Sequence, residues 1–148
     1  MNDALTLVHT PHEFRVRATL PLPQDDAWDR LTTVWLPAWL GIESLPLMVG
    51  GLLRPHAPDS ADAAPVGRVL GSSLGHRMRV MVTSPVTGGP IVVQASVLAD
   101  GPRTALEVDV QDVPSTEELE RLRSIWGDRV SLVEREVSDE FRAYRRSA

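Results

Sequence analysis

Cysteine and lysine are both absent from this chain of 148 residues, and aromatic residues make up only 5% of it. Without cysteine there is no disulfide, no thiolate nucleophile and no thiolate metal ligand. Without lysine there is no Schiff-base amine and no lysine general base. All 15 basic residues are therefore arginine. A surplus of positive charge is missing too, since the formal net charge is -5. That argues against nonspecific nucleic-acid binding and against adsorption to anionic lipid, both of which need a cationic face. The N-terminal stretch MNDALTLVHTPHEF lacks the basic-then-apolar order of a signal peptide. No apolar run approaches the roughly 20 residues of a membrane span. The expectation is one cytoplasmic domain over 1–148, with residues 1–11 flexible and neither membrane nor nucleic acid among its partners.

What is present is an ordinary globular balance, 43% hydrophobic and 24% charged. In EFRVRATLPL, Phe14, Val16, Ala18 and Leu20 alternate with Glu13, Arg15, Arg17 and Thr19, which predicts a strand with one wet face. Pro21 and Pro23 stop it. PQDDAWDRLTT predicts a short helix capped by Asp25 or Asp26, with Ala27, Trp28 and Leu31 on one side. In VWLPAWLG, Leu36 precedes a proline and is expected outside the helical region. Pro37 suits the first turn of a second short helix that Gly41 closes. LPLMVGGLLR, 45–54, reads as a strand interrupted by a bulge or bend at Gly50 and Gly51, and PHAPDSADAAP, 55–65, as an exposed loop.

Strands in hairpin order follow. GRVLGSSL comes first and turns at Gly75. HRMRVMVTS sets Met78, Val80 and Val82 against Arg77, Arg79 and Met81. PIVVQASVLA sets Val93, Ala95 and Val97 against Gln94 and Ser96, and DGPR is a hairpin turn. TALEVDVQDV sets Leu106, Val108 and Val110 against Glu107, Asp109 and Gln111. The period then changes. After Pro114, Ser115-Thr-Glu-Glu118 has the form of a capping box. Leu119, Leu122, Trp126, Val130, Val133 and Val137 recur at helical spacing as one continuous apolar stripe. A helix of that length needs a large apolar partner, and the sheet is the candidate. The order of elements is α+β.

That order resembles the START-like (SRPBCC, polyketide-cyclase) superfamily with its helix-grip fold, over nearly all of residues 12–143. The quoted likenesses are FRVRATLPLPQDDAWDRLTT, GRVL, and RTALEVDVQDVPSTEELERLRSIWGDRVSLVE. Within it, the nearest pattern is the family related to activators of the heat-shock-protein ATPase; GIESLPLMVGG departs from that pattern. The resemblance implies a curved antiparallel sheet of about six strands wrapped around the long C-terminal helix, with two short helices after the first strand. It also makes the first and last strands neighbours, which would oppose Arg15 and Arg17 to Glu107 and Asp109.

The leading functional expectation is a binder of a small apolar ligand, lipid or polyketide-like, in a cavity between sheet and helix. Its walls would be Trp35, Trp39, Val80, Val93, Val108, Trp126 and Val130. The tryptophans either wall that cavity or plug the core. Arg129, at the edge of the stripe, either anchors a ligand carboxylate or lies along the surface with its stem packed. The alternatives are a protein-interaction module, with a chaperone or a second copy as partner, and a cyclase- or aromatase-like enzyme. Arg77, Arg79, Arg15 and Arg17 are assigned to the convex face. His9, His12, His56 and His76 form no set with metal-ligand spacing, so no catalytic residue, metal or other cofactor is assigned.

Overall fold

The computed structural model describes residues 12–55 and 65–147, with side chains as far as 140. The expectations for residues 1–11, His9, His56 and most of the 55–65 loop lie outside the described residues.

Strand β1 (His12–Leu20) is followed by helices α1 (Gln24–Leu31) and α2 (Leu36–Trp39). Strands β2 (Leu52–Leu53), β3 (Gly67–Ser73), β4 (Arg77–Thr83), β5 (Pro90–Asp100) and β6 (Arg103–Val113) lead into the long helix α3 (Thr116–Ser147). All six strands form one antiparallel sheet in the order β1-β6-β5-β4-β3-β2. The meander from β3 to β6 is local, and its closure by β1 is the long-range step. In the β1–β6 register Arg15 faces Asp109 and Arg17 faces Glu107. Arg15 Nε lies 2.6 Å from Asp109, and Arg17 Nε lies 3.6 Å from Glu107. The opposed charges of the two wet faces meet as the alternation implies.

One irregularity sets the end of that pairing. His12 pairs with Val113 and Phe14 with Val110, so Gln111 and Asp112 together face one residue of β1. Asp112 absorbs the extra residue at φ 61°. The bulge shifts the inward phase by one, so Val113 is buried like Val110.

Helix α3 lies as one rod against β1 and β6 and is met by α2. Leu122, Trp126, Val130, Val133 and Val137 on its stripe are buried, while Leu119 is half-buried at its start. Burying these five side chains contributes about 10 kcal/mol before chain entropy is counted. At the N-terminus the Glu118 N–H donates to Ser115 Oγ at 3.1 Å. The expected capping box is only half formed. Glu118 is buried and its Oε2 accepts from Thr87 Oγ1 in the β4–β5 turn at 3.1 Å, so its carboxylate ties helix to sheet. Ser115→Ala is expected to cost about 1 kcal/mol, measured by urea denaturation. An unchanged midpoint would show that the cap does not contribute.

Three local expectations are corrected. Helix α1 has Pro23 at its cap and no side-chain cap; Asp25 and Asp26 sit inside its first turn. Its start is held by Gln24, whose Nε2 donates to Val97 O at 2.9 Å. Leu36 is helical despite Pro37, since α2 begins there and the buried Leu36 side chain anchors it. The stretch 45–54 is not a strand apart from Leu52 and Leu53. Gly51 folds back so closely on Pro46 that a Cβ would lie 2.7 Å from its carbonyl oxygen, a path no extended chain takes.

Candidate functional site

The expected wall residues converge on one apolar cluster between sheet and helices. Val80, Val93 and Val108, from the middle of β4, β5 and β6, are 0% exposed, so no solvent-sized space touches them. Val130, Trp35 and Trp39 are buried with them. The rings of the two short-helix tryptophans occupy the space inside the grip.

Each of these indoles also holds a polar partner. Trp39 Nε1 donates to Leu31 O at 2.9 Å, which closes the end of α1 onto α2. Trp35 Nε1 donates to Glu140 Oε1 at 3.3 Å, and Glu140 is in turn paired with Arg30. Trp126 differs. It is equally buried, yet among the described residues its Nε1–H has no hydrogen-bond partner. Native folds leave few such donors unpaired, because a buried, unmade hydrogen bond costs about 1–3 kcal/mol.

Trp126 and Arg129, in the N-terminal half of α3, line a recess of about 180 Å³ near the end of β4. Leu40 and Gly41, just past α2, form one side of it. Pro55 and Val66 flank the short edge strand, Val82 forms the floor at the end of β4, and Thr83 and Pro85 lie at the exposed rim. The Arg129 guanidinium carbon stands 4.4 Å from the centre of the Trp126 ring, and Nη1 donates weakly to Trp39 O at 3.5 Å. Burial pushes the Arg129 pKa below its ordinary value. It stays a cation at any working pH. A larger groove of about 410 Å³ lies near the other end of α3, beside Trp35, Arg30 and Glu140. Its indole N–H and its guanidinium already have partners, so it offers a ligand less.

No protein-family model and no curated protein sequence matches the chain. Solved structures do match it. CalU16 from Micromonospora echinospora superposes with a TM-score of 0.69 at 18% identity, over 90% of this chain and 80% of its own. DynU16, a protein of the dynemicin biosynthetic locus, gives 0.68 at 23% identity over 85% of this chain. This chain spans about half of DynU16, 47% of its length. An AHSA1-like protein from Rhizobium etli gives 0.60 at 18% identity, over 88% of this chain and 84% of its own. The chain has the helix-grip fold. Identities this low carry architecture and not activity.

Within the helix grip, the recess unites two of the expected site residues, Trp126 and Arg129. Trp39 contributes a backbone carbonyl, and the remaining expected residues pack in the core behind it. Leu40, Gly41, Pro55, Val66, Val82, Thr83 and Pro85 were not singled out from the sequence. None belongs to a motif, and they meet only because α2 and the sheet edge are folded against α3. Among the described residues, no helix is long and apolar enough to cross a membrane.

Proposed function

We propose that this protein binds a small apolar molecule in the recess between the end of α2, the end of β4 and the middle of α3. The observation that carries the reading is the recess itself, lined by Leu40, Val66, Val82 and Trp126, the one fully buried indole whose N–H is unpaired among the described residues. Ligand sites combine apolar walls with a few polar groups, and here Leu40, Val66, Val82 and Trp126 stand beside Thr83 and Arg129. At about 180 Å³ the recess is close to the roughly 150 Å³ of an engineered cavity that takes up benzene. A single ring or a short chain is the size that fits. The likeness to CalU16 and DynU16 supports the architecture that such a site needs.

The experiment is a ¹H–¹⁵N NMR titration with toluene, benzyl alcohol, benzoate and hexanoate. Saturable shifts are expected at the Trp126 indole N–H and at the Leu40 and Val82 amides, with Kd between about 10 µM and 1 mM. Thr83→Trp, at the exposed mouth, is expected to abolish them. If no compound of the panel shifts these signals, the protein does not bind small molecules here and the reading fails.

A further inference from the structure

We infer that two copies of this chain associate through the outer faces of their sheets, with the two-fold axis running along β5. This surface shares no residue with the recess.

The outer face carries its charge in columns, one sign to a strand. Arg15 and Arg17 stand on β1, Glu107 and Asp109 on β6, and Arg77 and Arg79 on β4. Between the last two columns, β5 presents Gln94, Ser96 and Leu98, a leucine that is 43% exposed. The strand register aligns the columns in two rows, Arg15–Asp109–Gln94–Arg79 and Arg17–Glu107–Ser96–Arg77. Strands β4 and β6 lie about 4.8 Å to either side of β5. A two-fold rotation about β5 therefore lays β4 over the partner's β6 and keeps each row in place. It sets Arg79 over the partner's Asp109 and Arg77 over the partner's Glu107, and the reverse by symmetry. Arg15 and Arg17 then meet the partner's Gly71 and Ser73, which carry no charge. Leu98 meets the partner's Leu98 and leaves water. Asp100, at the end of β5, is matched within its own hairpin by Arg103.

Both sides have bonding capacity to spare. Arg77 and Arg79 are exposed, and among the described residues neither pairs with a carboxylate. Asp109 is held by Arg15 at 2.6 Å, but Glu107 stands 3.5 Å from Arg15 and 3.6 Å from Arg17. A carboxylate offers about four acceptor positions, so each accepts from a second guanidinium as well. Aligned sheets pack about 10 Å apart, a separation that the uncharged Gln94 and Ser96 on the axis allow. The face from β1 to β3 is about 20 Å on a side, roughly 800 Å² of flat area over both copies. Stable complexes bury about 1,200–2,000 Å², so this dimer is weak and reversible.

The test is sedimentation equilibrium of the full chain from about 10 µM to about 1 mM at low salt. The parent is expected to pass from monomer to dimer with Kd between about 10 and 300 µM. Salt at about 0.5 M should weaken the dimer at least about fivefold by screening. Arg77→Glu/Arg79→Glu should stay monomeric throughout, with a melting temperature within about 3 °C of the parent because both positions are exposed. Gln94→Arg tests the axis. It sits beside Asp109 in its own sheet yet faces its own copy across the two-fold, and it should weaken the dimer at least about tenfold. A parent that is monomeric at about 1 mM would overturn the inference. So would a dimer that Arg77→Glu/Arg79→Glu leaves intact. A dimer lost in that variant but unchanged by Gln94→Arg would overturn the axis along β5.

Discussion

Replacing Trp39 by alanine is expected to lower the unfolding free energy by about 4 kcal/mol or more. The side chain is 1% exposed and among the largest in the core. Removing a buried tryptophan costs about 3–5 kcal/mol through lost transfer energy and the cavity left behind. Here the loss also strips Leu31 O of its donor at the end of α1. Domains of this size have about 5–15 kcal/mol in total, so much of the margin disappears. In urea the midpoint should fall by about 2 M. Trp39→Phe separates the two contributions, because it keeps most of the ring and removes the N–H. It should cost about 1–3 kcal/mol. A midpoint shift below about 0.5 M for the alanine variant would mean that the indole is not a structural plug. Its place would then be the wall of a site that tolerates an empty space.

A carboxylate at Val133 is expected to abolish the folded state. Val133 lies in the middle of the α3 stripe at 0% exposure. An aspartate there must either bury an unpaired charge, costing several kcal/mol, or pull the helix off the sheet. Val133→Asp should lose the dispersed NMR spectrum of the parent and unfold without added denaturant. Arg135→Asp, two residues on and exposed, is the control and should stay within about 0.5 kcal/mol of the parent. A cooperatively folded Val133→Asp protein would show that α3 does not depend on its grip by the sheet.

Particular residues show where the sequence was legible. The alternation from Phe14 to Leu20 and that from Leu106 to Val110 appear as β1 and β6, with the alternate residues inward. The opposed charges on their wet faces even anticipated the register that joins strands more than eighty residues apart. Leu122 to Val137 announced one buried stripe, and it is one. Each of these signals is a period, and a period survives in the linear chain because neighbouring side chains alternate or spiral by fixed geometry. The failures are at short or irregular pieces. Leu36 enters a helix that the following proline disfavours because its burial outweighs the local preference. The 45–51 stretch is apolar yet not a strand, because Pro46 and two glycines turn it on itself.

The chain alone determined which segments are strands and which is the long helix, which face of each is apolar, and that cysteine and lysine chemistry are absent. Tertiary structure decided the recess and its lining. Whether an indole N–H is satisfied depends on which carbonyl or carboxylate lies beside it, and that neighbour is set by packing. Trp39 finds Leu31 a short way back, Trp35 finds Glu140 from the far end of the chain, and Trp126 finds none among the described residues. Three identical side chains thus acquire different chemistry from their surroundings, and the one left unpaired stands beside Arg129 at the recess.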